Sequence, residues 1–243
     1  MEKIVVITGG SLGIGLSCVN KFHQNNYKII NLDIVKPEEN KSIFLKTDLS
    51  NIKEIKESFL KIQKDFGKID ILISNAGMHS SGVFDEITEE EYDKVISINL
   101  KGTFFVVQEA IKLMKQHGGR IITLGSDQSF IAKPRSAIYG LTKAAISHFT
   151  KSIALDYSKY NIIANCVAPG TVDTPLYRNA MNNYCKRTGA DIEIAHAEEE
   201  SLQPINRIAK PEEIADFIYF LTTEASSFIQ GATLSIDGGY TIQ

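Results

Sequence analysis

The chain has 243 residues, of which 43% are hydrophobic and 23% are charged, and these proportions are typical of a globular protein with a sizeable core. Its formal net charge of -3 gives no electrostatic reason to expect a nucleic acid or an anionic membrane as a partner. No apolar run approaches the roughly 18 residues of a membrane-spanning helix. Three cysteines without metal-ligand spacing predict reduced thiols in a cytoplasmic protein that has no metal site.

Short β-rich runs alternate with longer helical patterns along the whole chain. The predicted strands are 4–8, 28–33, 42–47, 69–74, 119–125, 162–167 and 233–237. The predicted helices are 13–25, 51–66, 89–117, 136–159 and 211–222. Such alternation predicts an α/β fold, in which a doubly wound parallel sheet of about seven strands is covered by helices on both faces. No repeat or linker is evident, so we expect a single domain spanning 1–243.

A glycine-rich turn, Thr8-Gly9-Gly10-Ser11-Leu12-Gly13-Ile14-Gly15, follows the first predicted strand and opens the first predicted helix. Glycines allow a tight turn and a close approach to a pyrophosphate, and the helix N-terminus supplies N–H groups and a positive dipole. An acidic residue, Asp33, ends the second predicted strand. The alternative is an ordinary helix cap beside a surface aspartate. Together the features predict a dinucleotide site.

The residues around Asp33 favour NAD over NADP. Its carboxylate can accept hydrogen bonds from an adenosine ribose diol, and it would repel a 2′-phosphate by like charge. No Arg or Lys occurs in the glycine turn, and Ile34 follows Asp33. Lys36 is the one nearby cation that would soften this preference.

Tyr139 and Lys143 are four residues apart in a predicted helix, a spacing that places both side chains on one face. A fixed positive charge near a phenol favours the phenolate, as a general base for alcohol oxidation requires. Taken alone, the pair is better explained as part of an exposed helix face, since helices often carry a Tyr and a Lys at that spacing. Its chemical meaning depends on the rest of the chain.

The segment 171–209 interrupts the alternation, because it has no clear strand and is dense in charged residues. It follows the sixth predicted strand and so would lie near the carboxyl edge of the sheet, where ligands bind in such folds. We therefore expect a mobile lid over a substrate at 171–209. A solvated surface excursion is the alternative.

Motifs in the same order resemble those of the short-chain dehydrogenase/reductase family over essentially the whole chain. The glycine turn matches the family pattern Thr-Gly-x-x-x-Gly-x-Gly, and Ser126 stands thirteen residues before Tyr139, the spacing of the family's catalytic Ser and Tyr. Further matches are Asp48-Leu49, Asn75-Ala76-Gly77, Asn99, Pro169-Gly170-Thr171-Val172-Asp173-Thr174 and the ending Asp237-Gly238-Gly239. One departure is polar: Asp127-Gln128 follows Ser126, where relatives often have small apolar residues.

The resemblance implies a Rossmann-type fold and hydride transfer between a nicotinamide and a carbinol carbon. It implies that Asn99, Ser126, Tyr139 and Lys143 are catalytic. Tyr139 would exchange the proton, Lys143 would hold the nicotinamide ribose and depress the Tyr139 pKa, Ser126 would bond the substrate oxygen, and Asn99 would bind a water that links Lys143 to solvent. The expected NAD contacts are Gly9, Ser11, Leu12, Gly13, Ile14, Gly15, Asp33, Asp48, Leu49, Asn75, Ala76, Gly77, Tyr139, Lys143, Pro169, Gly170, Val172 and Thr174.

The polar residues near the predicted cleft suggest a small polar or anionic substrate, such as a sugar, a sugar acid or a short hydroxy acid. The candidate substrate contacts are Ser126, Gln128, Tyr139, His79 and Arg178. One rival is a 3-oxoacyl carrier-protein reductase, although such relatives usually take NADPH and carry an Arg in the glycine turn. The other rival is a non-catalytic NAD-binding scaffold on the same fold.

The long predicted helices 89–117 and 136–159 carry apolar stripes that include Phe104 and Phe105. Core packing explains one face of each helix. The family resemblance implies that these helices pair across a two-fold axis, so we expect a homotetramer built as a dimer of dimers.

Overall fold

The computed structural model describes residues 2–242, and its seven strands form one parallel sheet. The strands are β1 Ile4–Thr8, β2 Lys28–Asp33, β3 Ile43–Lys46, β4 Ile71–Ser74, β5 Gly119–Leu124, β6 Ile162–Pro169 and β7 Thr233–Ile236. Their order is β3-β2-β1-β4-β5-β6-β7, so the chain returns to the centre of the sheet after β3 and then builds outward on the other side. This is the doubly wound Rossmann-type fold that the sequence predicts.

In the described part of the chain, eight α-helices connect the strands or follow them. They are α1 Gly13–Gln24, α2 Ile52–Phe66, α3 Glu89–Val95, α4 Thr103–Met114, α5 Ala137–Tyr157, α6 Pro175–Thr188, α7 Ile192–Ser201 and α8 Pro211–Thr223. Within residues 2–242, no helix is both long enough and apolar enough to cross a membrane.

Alternate side chains of β1 enter two separate cores. Val6 packs in the core that also holds Phe59 of α2 and Met114 of α4. Val5 points to the opposite face, where Phe22 of α1 and Ile218 of α8 are fully buried. Because a strand sends successive side chains to opposite faces, a continuous apolar run is what a sheet covered on both sides requires.

Two parts of the chain differ from the sequence prediction. The helix predicted over 89–117 is divided by a π-helical segment, Ile96–Gly102, that carries Asn99. The segment 171–209, for which no regular structure was predicted, contains α6 and α7, together with a bridge between Val172 and Ala209. Apolar periodicity is a poor guide to these two helices, because α6 buries none of its residues and α7 buries only Ala195.

All seven strands run in the same direction, so their carboxyl ends meet at one edge of the sheet. Thr8 ends β1, Ser74 ends β4, Leu124 ends β5 and Pro169 ends β6. The chain reverses its direction of travel across the sheet between β1 and β4, and ligands of open α/β sheets bind at such a switch point. The predicted functional residues follow these strand ends.

Candidate active site

Several positions of the glycine turn after β1 favour glycine, and Gly9 and Gly15 show this most clearly. Gly9 has a φ of 67° and lies against Ala76, and a Cβ on Gly15 would lie 1.9 Å from the Gly9 carbonyl oxygen. Leu12 is the N-cap residue of α1 and provides no side-chain hydrogen bond to the first turn. The N-terminus of α1 therefore has N–H groups that its own cap leaves available to an anion.

Asp33, the last residue of β2, forms a hydrogen bond with the glycine turn. Its Oδ2 accepts a hydrogen bond from the Ser11 N–H at 3.0 Å, and its Oδ1 accepts one from the Val35 N–H at 3.0 Å. The carboxylate is thus fixed beside the glycine turn, where it was predicted to meet an adenosine ribose. A carboxylate has about four lone-pair sites, so acceptor capacity remains for a ribose diol.

Asn31 is a residue of this site that the sequence analysis missed. Its side chain is fully buried in β2, where Oδ1 accepts from the Gly10 N–H at 2.9 Å and Nδ2 donates to Ser11 Oγ at 2.9 Å. An amide in the middle of an otherwise apolar buried strand was the available signal, because a buried polar group needs partners.

The Asn75-Ala76-Gly77 motif fastens the end of β4 to the end of β1. Asn75 Nδ2 donates to the carbonyl oxygens of Thr8 and Gly9 at 3.0 and 3.1 Å. In return, Thr8 Oγ1 accepts from the N–H groups of Asn75 and Ala76, each at 3.0 Å. These reciprocal bonds hold the two strand ends that flank the switch point.

The remaining predicted cofactor residues lie around the same edge. Leu49 is buried and its carbonyl is so close to Gly102 that a Cβ there would lie 2.7 Å away. Asp48 accepts from the N–H and the hydroxyl of Ser50 at 2.8 and 2.7 Å. The Thr174 methyl would be 3.1 Å from a Cβ on Gly13, so the loop after β6 lies directly beside the glycine turn.

Tyr139 and Lys143 lie on the same face of α5, with the Lys143 Nζ 5.4 Å from the centre of the Tyr139 ring. The Lys143 side chain is buried, and its Nζ donates to the Leu124 carbonyl oxygen at 2.8 Å. The Ser126 hydroxyl group, two residues after the end of β5, acts on the Tyr139 phenol and lowers its pKa. The structure therefore brings Ser126, Tyr139 and Lys143 together.

Burial shifts the pKa values of both residues of the pair. Loss of hydration on burial, and after it the charge of Asp127, raises the pKa of Tyr139 to about 12, against the opposing effect of its bond with Ser126. Burial lowers the pKa of Lys143 to about 8. Lys143 is not among the causes of the Tyr139 shift, so its predicted lowering of the Tyr139 pKa stays a prediction.

Asn99 lies in the π-helical segment and forms hydrogen bonds with the loop after β4 and with α5. Its Oδ1 accepts from the Met78 N–H at 2.8 Å, and its Nδ2 donates to the Met78 carbonyl at 2.9 Å and to Thr142 Oγ1 at 3.3 Å. Both amide hydrogens of Asn99 therefore have protein partners. The predicted water link to Lys143 stays a prediction.

The predicted substrate residues have different surroundings. The His79 ring lies 5.0 Å from the Tyr139 ring, and burial followed by the charge of Lys133 lowers the His79 pKa. Gln128 is buried beside Gly140, and its Oε1 has no hydrogen-bond partner among the described residues. Arg178 instead forms a two-point ion pair with Asp173, at 2.7 and 2.8 Å, on the exposed surface of α6.

A partly buried ion pair next to Ser126 was also missed. Asp127 is 3% exposed, and its carboxylate lies 2.7 Å from the Lys133 Nζ. The ammonium lies 4.4 Å from the centre of the Tyr240 ring, near the end of the described chain. The polarity of Asp127-Gln128 was noticed in the sequence, but the six-residue separation of Asp127 and Lys133 gave no reason to pair them.

Comparisons with known proteins agree with this geometry. A family model described as Enoyl-(Acyl carrier protein) reductase matches residues 9–241. A 3-oxoacyl-[acyl-carrier-protein] reductase of Thermotoga maritima is 33% identical, with 99% of this chain and 98% of that protein covered. An NAD-dependent glycerol dehydrogenase of Listeria innocua is 31% identical, with 100% and 95% covered.

Solved structures show the same likeness. A short-chain dehydrogenase family protein from Francisella tularensis superposes with a TM-score of 0.94 at 39% identity, with both chains fully covered. An aldohexose dehydrogenase from Thermoplasma acidophilum gives 0.94 at 35% identity, covering 100% of this chain and 95% of that one. A structure described as ElxO with NADP bound gives 0.89 at 31% identity, with both chains fully covered.

The open parallel sheet, the glycine turn at its switch point and the Ser126–Tyr139–Lys143 cluster define a dinucleotide-dependent oxidoreductase. The chain belongs to the short-chain dehydrogenase/reductase family. Its own residues fit a dinucleotide. The N-terminus of α1 has no side-chain cap, and the glycine turn before it leaves no room for a side chain at Gly15, so a pyrophosphate could approach the backbone there.

Replacement of Gly15 by alanine tests the cofactor turn. A Cβ at 1.9 Å from the Gly9 carbonyl oxygen forces the backbone of the turn to move. Overpacking of this kind costs about 1–3 kcal/mol or more, so Gly15→Ala should lower the melting temperature and weaken NADH binding, measured by fluorescence titration.

Gly67→Asn is the matched control. Gly67 has a positive φ of 74° but nothing lies within 4 Å of its Cβ position, and asparagine tolerates that conformation. This variant should bind NADH as the parent does. Unchanged NADH affinity in Gly15→Ala would contradict the assignment of the turn.

Proposed function

We propose that the protein interconverts a small polar secondary alcohol and its ketone, with NAD as the preferred hydride carrier. The observation that carries the proposal is the convergence of Ser126, Tyr139 and buried Lys143 beside the glycine turn. A nucleotide-binding scaffold has no need for a phenol and an ammonium held within 5.4 Å of each other.

Each residue of the cluster has a role that follows from its surroundings. NAD, when bound, supplies the C4 position that exchanges a hydride with the substrate carbon. Tyr139 takes the hydroxyl proton during oxidation and returns it during reduction. The Lys143 ammonium has three N–H donors. One of them bonds the Leu124 carbonyl oxygen, and the others can bond the ribose hydroxyls. Asn99 keeps α5 in register by bonding Thr142.

The preference for NAD rests on Asp33. Its carboxylate is fixed by two backbone N–H groups beside the glycine turn, where a 2′-phosphate would meet a like charge. The Listeria relative described as NAD-dependent favours this preference, whereas the ElxO structure contains NADP. The local charge of this chain supports NAD.

The proposed substrate class is a sugar, a polyol, a sugar acid or a short hydroxy acid. The support is polar groups near Ser126: the Asp127–Lys133 ion pair, and Gln128, whose buried Oε1 has no hydrogen-bond partner among the described residues. The relatives that act on glycerol and on aldohexoses favour this class. The Thermotoga relative favours the second candidate, reduction of a 3-oxoacyl group on a carrier protein. Turnover across both substrate sets separates the two functions.

The Tyr139→Phe variant tests the reaction. Removal of the phenolic oxygen removes the proton exchange, and general acid–base catalysis contributes about 10²–10⁴-fold. We therefore expect kcat to fall by about that factor, with NADH affinity nearly unchanged. Turnover is measured over a panel of sugars, polyols, sugar acids and short hydroxy acids with NAD.

Tyr157→Phe is the control, because Tyr157 ends the same helix but packs against Tyr160. It should keep full activity. A Tyr139→Phe enzyme with the parent's kcat would refute the catalytic role and would leave the scaffold function as the better explanation.

Asp33→Asn tests the cofactor preference. Hydrogen bonds to charged groups contribute about 1.5–3 kcal/mol, so the ratio of kcat/KM for NADH to that for NADPH should fall about tenfold or more. Asp65→Asn, on the exposed surface of α2, should leave the ratio unchanged. A parent enzyme that prefers NADPH would contradict the proposal directly.

We further propose that four copies assemble through α4 and α5. Phe104 of α4 stacks on Phe149 of α5 at 5.1 Å and is still 44% exposed, and Leu155 of α5 is 80% exposed. Light scattering should give four times the chain mass. Leu155→Asp should lower that mass, whereas Leu60→Asp on α2 should not; a parent mass of one chain would overturn the proposal.

The free state of the cysteines supports a proposal about where in the cell the protein works. Cys18 and Cys166 are buried free thiols and Cys185 is half-buried and free. Free thiols persist where glutathione and thioredoxin keep them reduced. We therefore propose that the protein works in the cytoplasm.

A further inference from the structure

The side chain of Asn31, in the middle of β2, extends to the glycine turn. Its Oδ1 accepts from the Gly10 N–H at 2.9 Å, and its Nδ2 donates to Ser11 Oγ at 2.9 Å. Asn31 is fully buried in a strand of mostly apolar residues, where a polar side chain lowers stability unless it is hydrogen-bonded. A leucine has a similar size and would fill the same place without any hydrogen bond. The amide therefore needs a reason beyond packing.

Ser11 connects Asn31 to the end of β2. The Ser11 hydroxyl donates to the Val35 carbonyl oxygen at 2.5 Å, and the Ser11 N–H donates to Asp33 Oδ2 at 3.0 Å. Asn31 and Asp33 are two residues apart, so strand geometry sends both side chains to the same face of the sheet. Asn31 therefore helps to fix Ser11, and Ser11 bonds the carboxylate that was predicted to meet the adenosine ribose.

The glycine turn uses its N–H groups in two ways. Those of Gly9, Gly10 and Ser11 donate to acceptors in β2, at 2.9, 2.9 and 3.0 Å, and Asn31 supplies the acceptor for the middle one. The first N–H groups of a helix have no partner within the helix, so those at the start of α1 remain for an anion. The part of the turn that is bonded to β2 thus determines where the other part lies.

We propose that Asn31 is a positioning residue for the cofactor. It holds Gly10 and Ser11, and through Ser11 the Asp33 carboxylate, in the arrangement that binds an adenine dinucleotide before the cofactor arrives. A site that is ordered in advance loses less conformational freedom on binding. That the cofactor is NAD rests on the proposed function; the ordering of the turn by Asn31 does not.

A second buried asparagine provides the control. Asn165, in β6, is 2% exposed; its Oδ1 accepts from the Ala232 N–H at 2.9 Å, and its Nδ2 donates to the Ile229 carbonyl oxygen at 2.7 Å. These partners precede β7 and so lie at the amino edge of the parallel sheet, opposite the edge that carries the glycine turn. Asn31→Leu and Asn165→Leu each leave a buried backbone N–H without its acceptor.

Both variants should lower the melting temperature, and cofactor binding should separate them. NADH is titrated by its fluorescence, and ADP-ribose, which lacks the nicotinamide, is titrated by calorimetry. If about a tenth of the Asn31→Leu molecules have the ordered turn, the dissociation constants of both ligands rise about tenfold. Asn165→Leu should keep the parent's values. Parent-like binding by Asn31→Leu, equal weakening in both variants, or a loss of NADH affinity that ADP-ribose does not share overturns the proposal.

Hydrogen exchange of the cofactor-free protein measures the turn directly. Exchange at the amides of Gly10, Ser11 and Val35 should be about tenfold faster in Asn31→Leu than in the parent and unchanged in Asn165→Leu. Exchange that stays slow in Asn31→Leu overturns the proposal.

Ser11→Ala decides the question if Asn31→Leu does not fold, because it removes the hydroxyl between Asn31 and Val35 and adds no bulk. It should speed exchange at Gly10 and Val35 in the cofactor-free protein. Unchanged exchange would overturn the proposal, since a Ser11 that merely touches the cofactor leaves the free protein as it is. A parent that binds NADH with the expected dependence on Asn31, but oxidises none of the alcohols, would count against the proposed function and not against Asn31.

Discussion

The buried ammonium of Lys143 is the interaction on which the rest of the site depends. Its bond to the Leu124 carbonyl ties α5 to the end of β5, the strand whose next residues lead to Ser126. Burial of a charge is costly unless it is paired or hydrogen-bonded, and here it lowers the pKa of Lys143 to about 8. The bond fixes the register of α5 on the sheet, so Tyr139, one helical turn away, faces the carboxyl edge.

The sequence predicted correctly those strands whose residues form a continuous apolar run. β1 and β2 have the boundaries that apolar runs predict, and the glycine turn lies where its motif requires. The polar helix α6 lacks such a signal, although Pro175 at its start and Gly189 at its end are ordinary boundary residues. The π-helical segment around Asn99 was hidden because its sequence continues a helical pattern, and such segments often occur at functional sites.

The sequence indicated which residues would lie near one another at the site, but it did not indicate how burial and neighbouring charges would shift their pKa values. Motif spacing located Ser126, Tyr139 and Lys143, since these positions follow strand and helix geometry. Spacing gave no information on burial, and burial is the largest cause of the shifts in the pKa values of Tyr139 and Lys143. The pairing of Asp127 with Lys133 also depends on how the loop between β5 and α5 folds, and no local pattern specifies that loop.

The two pKa values constrain how the proposed reaction works. Burial lowers the pKa of Lys143 to about 8 and raises the pKa of Tyr139 in the chain alone to about 12. The chain alone therefore disfavours a charged Lys143 beside an ionised Tyr139, and a further positive charge would favour that pair. Under the proposed function, oxidised NAD carries that charge and reduced NAD does not. The phenol is then a usable base only when the cofactor can accept a hydride, and it remains an acid when the cofactor can donate one, so the protonation of Tyr139 follows the direction of the reaction.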